Sequence, residues 1–226
     1  MTAPYYEDDL VTLYLGDCRE VTAWLEADVL VMDPPYGIAW KRSANAARAS
    51  KAHAGILNDT DTTARDTAIA AMHGKPGIVF GSLYAPAPAP LTHILIWRKP
   101  GDAGVVGSVT GYRRDVEAVY LTGPWPQRNA HASSVLVSLA RNIGSPTSPA
   151  GRTGHPHAKP VDLMEQLIDN APPGVIADPF AGSGSTLVAA RNLGRRAIGV
   201  EMDEAYCETA ARRLAQGAFD FEGGAA

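Results

Sequence analysis

An apolar run that ends abruptly in an acid and two prolines constrains the fold of this chain more than any other feature. Residues 29–32 are Val-Leu-Val-Met, and Asp33-Pro34-Pro35-Tyr36-Gly37 follows. The run has the length and branched side chains of a strand buried on both faces of a parallel sheet, and Pro34 ends the ladder because it has no N–H to donate. Open α/β sheets bind ligands beyond the carboxyl ends of their strands. Asp33 and Tyr36 are therefore candidate functional residues, although Asp33 also fits a simple turn.

A second short strand, starting at Ile176, also ends in Asp-Pro and leads into a glycine-rich turn, Asp178 to Thr186. Two such strand ends, one aromatic and one rich in glycine, suggest a substrate pocket beside a cofactor pocket. The chain around them alternates between strand and helix patterns. This alternation predicts an α/β fold with a mostly parallel sheet and helices on both faces.

The apolar periodicity predicts seven strands and five helices. The strands are expected at 11–15, 28–32, 77–80, 91–97, 116–121, 176–178 and 197–200, and the helices at 18–27, about 60–72, from 160, 185–193 and from about 203. Residues 122–157 are rich in Gly, Pro, Ser and Asn, apart from an apolar run at 135–139. Long irregular regions of this kind are usually functional or mobile.

Composition and charge narrow the functional classes. The 226 residues fit one domain, and the net charge of −4 argues against a basic coat for nonspecific nucleic-acid binding. No apolar stretch approaches the length of a membrane span, so a cytoplasmic protein is expected. Two cysteines, far apart in sequence, indicate neither a disulfide framework nor a metal site. Lys41, Arg42 and Arg48 lie in an acid-free segment after Tyr36, which is typical of a solvated loop or of a local DNA contact.

The glycine-rich turn favours a nucleoside cofactor. Gly182 and Gly184 let the backbone approach a ligand at a helix start, but Leu187 stands where a dinucleotide site has a third glycine, and there is no P-loop lysine. Glu201, 23 residues after Asp178, is placed to accept hydrogen bonds from ribose hydroxyls. A nucleoside with a short zwitterionic tail, S-adenosylmethionine, fits this pattern. Lys159, at a helix start, is expected to pair with its carboxylate.

These blocks together resemble the DNA amino-methyltransferases, which act on exocyclic nitrogens of adenine or cytosine. Asp33-Pro34-Pro35-Tyr36 resembles the catalytic motif, and Leu15-Gly16-Asp17-Cys18 resembles the element that meets the cofactor adenine. The resemblance implies cofactor binding by Asp17, Cys18, Lys159, Asp178, Phe180, Ala181, Gly182, Ser183, Gly184, Thr186 and Glu201. The catalytic block precedes the cofactor block, as in the permuted group called beta.

The resemblance implies a Rossmann-like S-adenosyl-L-methionine-dependent methyltransferase fold with a seven-stranded sheet. It also implies that Asp33 and the Pro34 carbonyl accept the N–H groups of a flipped base while Tyr36 stacks on its ring, with Pro35 stiffening the loop. Asp at position 33 favours adenine N6 as the target. Methylation of cytosine N4, of a protein glutamine amide, or a noncatalytic DNA-binding role are the alternatives.

One domain, residues 1–226, is expected to hold a catalytic block at about 11–121 and a cofactor block at about 155–216. DNA recognition is assigned to the loops at 38–58 and 122–154, with Lys41, Arg42, Arg48 and Arg128 contacting phosphates. These loops are short, so the recognition site is expected to be short or loosely read. DNA is the expected partner, without a membrane. A homodimer and a companion restriction nuclease both remain open.

Overall fold

The computed structural model describes residues 2–38, 60–100, 111–126, 132–138 and 158–222, with side chains to 216. The strands are β1 (Tyr6–Glu7), β2 (Val11–Leu15), β3 (Val29–Met32), β4 (Gly77–Gly81), β5 (Leu91–Arg98), β6 (Val116–Thr122), β7 (Val135–Val137), β8 (Ile176–Asp178) and β9 (Ala197–Glu201). The helices are α1 (Thr63–Ala71), α2 (Val161–Asp169), α3 (Ser185–Asn192) and α4 (Glu204–Glu222), and a short 3₁₀ helix covers Ala23–Glu26.

The strands form one sheet in the order β1-β2-β9-β8-β3-β4-β6-β5-β7. The five neighbouring strands from β2 to β4 are parallel, whereas β6 runs antiparallel to both β4 and β5. The two strands from the carboxy-terminal part of the chain, β8 and β9, therefore lie between β2 and β3. The carboxyl ends of five parallel strands meet along one edge of the sheet.

The predicted α/β fold with a mostly parallel sheet is confirmed, but the described residues form a sheet of nine strands instead of seven. The two additional strands are the short outer strands β1 and β7, of two and three residues. β7 coincides with the apolar run of the predicted irregular region and pairs with β5 in parallel. Strands this short carry too few residues for an alternating pattern to reveal them.

Both faces of the sheet are covered, which explains why β3 is apolar at every position. Val29 and Val31 pack into one core cluster, together with Leu163 of α2 and Leu187 of α3. Leu30 and Met32 pack into the other cluster, with Trp24, Ala68 and Met72. Successive side chains of a strand point to opposite faces, so a strand between two layers has no polar face.

The helix predicted at 18–27 is wrong for most of its length, because only the single 3₁₀ turn at Ala23–Glu26 forms. Asp17 does not start a helix here. Its carboxylate accepts the backbone N–H of Arg19 at 2.9 Å, and the buried Trp24 donates its indole N–H to the Cys18 carbonyl at 2.9 Å. These side chains satisfy backbone groups that a helix would otherwise use.

The described residues include no helix that is long and apolar enough to cross a membrane. The same part of the chain shows no group of three or more His, Cys, Asp or Glu side chains arranged to hold a metal ion.

Candidate active site

Parallel pairing brings the sequence motifs together along one edge of the sheet. β3 pairs with β8, with Leu30 opposite Ala177, so Asp33, directly after β3, and Asp178, the last residue of β8, lie at the ends of neighbouring strands. β8 pairs with β9, which ends at Glu201, and Glu201 lies opposite Leu15 at the end of β2. Motifs separated by more than a hundred residues in sequence thus occupy four consecutive strand ends.

The Asp33 carboxylate lies at the centre of a hydrogen-bonded cluster. The Tyr36 hydroxyl donates to Oδ1 at 2.7 Å, and the Lys159 ammonium donates to Oδ2 at 2.7 Å and lies 3.1 Å from the Tyr36 oxygen. Lys159 is almost fully buried, and its Nζ lies 4.9 Å from the centroid of the Phe80 ring. Lys159 therefore contacts the predicted catalytic block, and its pairing with a cofactor carboxylate stays a prediction.

Glu117, near the start of β6, completes the cluster. Its carboxylate lies 3.4 Å from Lys159, 2.6 Å from Lys99 and 3.5 Å from the Tyr36 hydroxyl. Burial raises the pKa of Glu117, but Lys159 and Lys99 outweigh burial, so that pKa lies below its ordinary value. Burial likewise lowers the pKa of Lys159, but Asp33 and Glu117 outweigh it and the pKa is raised. The cluster thus brings together the side chains of two acids and two lysines, and the shifted pKa values of Glu117 and Lys159 favour the charged form of each of these two.

Tyr36 is held in its neutral form. Burial, followed by the charges of Asp33 and Glu117, raises its pKa well above the ordinary value. Pro34 is buried and Pro35 half-buried, which fixes the short segment between the strand end and Tyr36. At Gly37 the backbone has φ 72°, and a Cβ there would lie 2.6 Å from the Asp61 carbonyl carbon. Glycine is thus required for the chain to leave the cluster past Asp61.

Asp178 is the most deeply buried acid of the site, with 2% of its surface exposed. Burial raises its pKa to about 7, although hydrogen bonds from the Thr186 side chain and the Phe180 N–H oppose the shift. The nearby Asp33 and Glu201 charges raise it further. At neutral pH this carboxyl group is therefore divided between its neutral and charged forms.

The glycine-rich turn lies between β8 and α3. Gly184 caps α3 with φ 80°, and a Cβ there would lie 2.8 Å from the Ala210 Cβ of α4. Leu187, at the position where a dinucleotide fold has glycine, is fully buried. A Cβ at Gly199 of β9 would lie 2.7 Å from Leu187 Cδ1, so here the strand supplies the glycine and the helix supplies the large side chain.

Both oxygens of Glu201 accept backbone hydrogen bonds, from Gly182 at 2.7 Å and from Asp203 at 2.8 Å. Burial raises its pKa. Asp17, at the neighbouring strand end, is ion-paired with Arg19, whose side-chain hydrogen bonds lower the pKa of Asp17. Burial raises the pKa of the half-buried Cys18 thiol to about 11, so the less nucleophilic thiol form predominates at neutral pH.

Residues 92–212, more than half of the chain, match the model of the N6/N4 methylases, a family described as DNA methylase. The chain belongs to this DNA methylase family. The matched range includes Glu117, Lys159, Asp178 and Glu201, and it begins after the Asp33 motif.

Curated relatives of this family match over shorter stretches. Putative methylase YubD of Escherichia coli (strain K12) is 47% identical over 68 residues, which are 29% of this chain and 30% of the relative. Type II methyltransferase M.ScaI of Streptomyces caespitosus is 42% identical over 73 residues, 31% of this chain and 24% of the relative. The matches thus span about a quarter to a third of the length of these relatives.

Solved structures support the methylase fold over nearly the whole chain. The M1.HpyAVI-SAM complex has a TM-score of 0.60 and 20% identity, over 91% of this chain and 99% of that one. The PvuII DNA methyltransferase, described as cytosine-N4-specific, has a TM-score of 0.64 and 17% identity, over 94% of this chain and 89% of that one. At this identity the likeness concerns the fold alone.

Sequence reasoning missed three side chains that bind the residues of the candidate site together. Glu117 and Lys99 form the ion pairs around Lys159. Arg213 of α4 donates to the Ser183 carbonyl in the glycine-rich turn. Glu117 is an acid inside the apolar strand predicted at 116–121. This position could have indicated an ion pair, because charged residues are rarely buried unless they are paired. Arg213 gives no such signal in a polar helix.

The predicted DNA contacts Lys41, Arg42, Arg48 and Arg128 lie outside the described residues, as does most of the segment before Lys159. The loops at 38–58 and 122–154 are described only at residues 38, 122–126 and 132–138.

Proposed function

We propose that this chain transfers a methyl group from S-adenosyl-L-methionine to the exocyclic amino group of a DNA base, with adenine N6 as the favoured target. One observation carries the proposal. The carboxylate of Asp33 and the glycine-rich turn after Asp178 follow the ends of adjacent parallel strands, so an acceptor for an amine lies beside a cradle for a nucleoside.

The residues at the strand ends suit this cofactor. Gly182 and Gly184 have φ of 51° and 80°, and the turn brings backbone close to any ligand that lies against it. Glu201 would hold the ribose, because each carboxylate oxygen can accept another hydrogen bond besides those from Gly182 and Asp203. The half-buried Phe180 would pack against the ligand, and Asp17 and Cys18 would meet the adenine at the next strand end. When bound, the cofactor supplies an electrophilic methyl group on a sulfonium.

The role of Asp33 follows from the chemistry of the target amine. Conjugation with the aromatic ring delocalises the nitrogen lone pair and makes the amine a poor nucleophile. Acceptance of its N–H groups by the Asp33 carboxylate and the Pro34 carbonyl localises that lone pair and aims it at the methyl group. The reaction then depends mostly on holding the reacting atoms about 3 to 3.5 Å apart and in line. Tyr36 stacks on the flipped base.

Lys159 and Glu117 prepare the acceptor. The Lys159 ammonium donates a charge-assisted hydrogen bond to Asp33 Oδ2 at 2.7 Å, and this bond fixes the orientation of the acceptor. Glu117 in turn holds Lys159 from the other side. Transfer leaves a proton on the methylated nitrogen. The carboxylate that accepted the N–H is the nearest base for that proton.

Adenine is favoured over cytosine by the aspartate at position 33, where resemblance to the family motif associates aspartate with adenine N6. A cytosine N4 target is the second candidate. We retain this candidate because the PvuII enzyme, which is described as cytosine-N4-specific, has a similar fold. Both bases present an amine conjugated to a ring, so the same acceptors serve either one.

The test is transfer of a labelled methyl group from S-adenosyl-L-methionine to mixed-sequence duplex DNA, followed by digestion to nucleosides and mass analysis. The expected product is N6-methyladenosine in its deoxy form. N4-methyldeoxycytidine would correct the base while keeping the reaction. Transfer to a glutamine-bearing peptide but not to DNA would overturn the proposal.

A further inference from the structure

An exposed group of aromatic and basic side chains lies beyond the same sheet edge as Asp33, on the side away from the cofactor turn. Tyr84 follows the end of β4 and is 77% exposed, and Tyr112 precedes β6 and is 80% exposed. Arg114 stacks over Tyr84, with Cζ 5.3 Å from the ring centroid. These three residues, with the exposed Arg113, are called the arginine–tyrosine patch.

The pairing of the strands fixes where this patch lies. β4 is parallel to β3, with Met32 opposite Val79, so its carboxyl end points to the same side as Asp33. β6 is antiparallel to β4, with Gly81 opposite Ala118, so the residues before β6 reach that same side. The patch therefore extends from the edge where the candidate catalytic residues lie.

The distance along the chain to the catalytic cluster is short. Arg114 is three residues before Glu117, whose carboxylate touches Lys159 and Tyr36. Three residues span at most about 10 Å. At a rise of about 3.4 Å per nucleotide along the duplex axis, that length corresponds to about three nucleotides of one strand. A strand whose base occupies the Asp33 cluster would thus pass over the patch within a few nucleotides.

The charge of the patch also suits a polyanion. Arg113 and Arg114 precede β6, and the exposed Arg98 lies opposite Val116 at the end of β5. Asp115 lies 3.6 Å from Arg113, and Glu117 is neutralised by two lysines. A local excess of positive charge therefore lies beside the site, in a chain whose overall charge is −4.

The aromatic side chains indicate which kind of polyanion the patch would bind. Tyr84 is 77% exposed although a guanidinium lies over its ring, and an exposed aromatic ring beside a cation suits an unpaired base, because stacking accepts any base and the cation pairs with the backbone. Flipping one base out of a duplex unstacks its neighbours.

We infer that the arginine–tyrosine patch binds the strand that carries the flipped base, with Arg114 contacting a phosphate close to the target nucleotide and Tyr84 stacking on a neighbouring base or sugar. This inference rests on the proposed function, since it assigns part of the DNA surface of the same site. It places DNA contacts on residues outside the loops at 38–58 and 122–154.

The test compares Arg114→Gln with Arg196→Gln in steady-state methylation of a mixed-sequence duplex at several salt concentrations. Arg196 is also exposed, but it precedes β9 at the opposite edge of the sheet. For Arg114→Gln we expect KM for DNA to rise roughly 10-fold at 0.1 M salt, and the slope of log KM against log salt to fall by about 1. Arg196→Gln should match the wild type in both, and kcat and the KM for the cofactor should stay unchanged in both variants.

A second pair of variants tests the aromatic contact. Tyr84→Ala should raise KM for DNA roughly 5-fold or more, as expected for the loss of one stacking contact, whereas Tyr84→Phe should keep the wild-type value. Tyr84 is exposed, so the thermal unfolding temperature should be unchanged in both variants.

The possible outcomes separate this inference from the proposed function. Suppose that the wild type methylates DNA and that Arg114→Gln and Arg196→Gln have equal salt slopes. This result would contradict DNA binding by the arginine–tyrosine patch and would leave the proposed function unaffected. A change in oligomeric state with an unchanged salt slope would also overturn it, by showing that the patch binds a second copy of the chain. No methylation of DNA by the wild type would overturn the proposed function and this inference with it.

Discussion

Asp33 depends on two partners that are far from it in sequence, Lys159 and Glu117. Lys159 contacts both carboxylates, so Glu117 shares the ammonium with the predicted catalytic acid. A buried charge that loses its partner is costly, whereas the complete set of charges is mutually neutralised. The orientation of Asp33 should therefore also depend on Glu117, which acts through Lys159.

Replacement of Glu117 by Gln should lower kcat about 10-fold, which corresponds to about 1.4 kcal/mol in the barrier. The neutral amide holds Lys159 and Lys99 less firmly, and the ammonium is then free to shift relative to Asp33. The free energy of unfolding should also fall by about 1–3 kcal/mol, measured by urea titration. The exposed carboxylate of Glu208 provides the control, since Glu208→Gln should change neither quantity. A wild-type kcat in Glu117→Gln would show that Glu117 does not position the acid.

Asp178 makes the stability of the protein depend on pH. Its pKa rises from 3.8 in the unfolded chain to about 7 in the folded protein, so the folded state binds more protons between these values. Its contribution is therefore most favourable below about pH 4 and is lost as the pH rises towards 7. Between pH 5 and pH 8 the wild type should lose on the order of 2–4 kcal/mol relative to Asp178→Asn. Urea unfolding of both proteins across this range measures the difference, and a difference independent of pH would contradict the assignment.

The start of α3 depends on close packing against α4. Gly184 combines a left-handed backbone with a contact to Ala210 that leaves no room for a side chain. Arg213 of α4 also binds the carbonyl of Ser183 in the preceding turn. The shape of the candidate cofactor turn is thus set jointly by two helices.

Gly184→Ala should destabilise the protein by about 1–3 kcal/mol and weaken binding of S-adenosyl-L-methionine, because the new Cβ displaces the turn from α4. Gly194→Ala is the matched control. Gly194 also has a positive φ, 66°, but a Cβ there meets no atom within 4 Å. The control should show only the cost of the backbone conformation. Thermal unfolding and calorimetric titration with the cofactor measure both effects, and equal losses in the two variants would exclude the packing explanation.

The elements themselves were largely predictable from sequence. β3, β4, β6 and β9 lie within one or two residues of the predicted strands, because each is a short, mostly apolar run bounded by polar or turn residues. The helix predicted after Asp17 failed, since Trp24 and Asp17 use their side chains to bond the local backbone instead. Local pattern predicts which segments are apolar, but it does not show such competing hydrogen bonds.

At the scale of the whole molecule, the order of the strands determines the site. Insertion of β9 and β8 between β2 and β3 brings Asp178 and Glu201 beside Asp17 and Asp33. Sequence pattern alone predicted that these residues lie at strand ends, and resemblance to the methylases predicted that they act together. The roles of Glu117, Lys99 and Arg213 come from side-chain contacts across the sheet, for which a single sequence holds little signal.

Single-turnover methyl transfer to duplex DNA by wild type and Asp33→Ala, with cofactor binding measured for each, tests the role of Asp33 most directly. Loss of the acceptor should slow transfer roughly 100-fold or more, while affinity for S-adenosyl-L-methionine stays near the wild-type value. Asp9→Ala, which removes an exposed acid in the turn between β1 and β2, should transfer at the wild-type rate. Equal rates for wild type and Asp33→Ala would contradict a role of Asp33 in preparing the target amine.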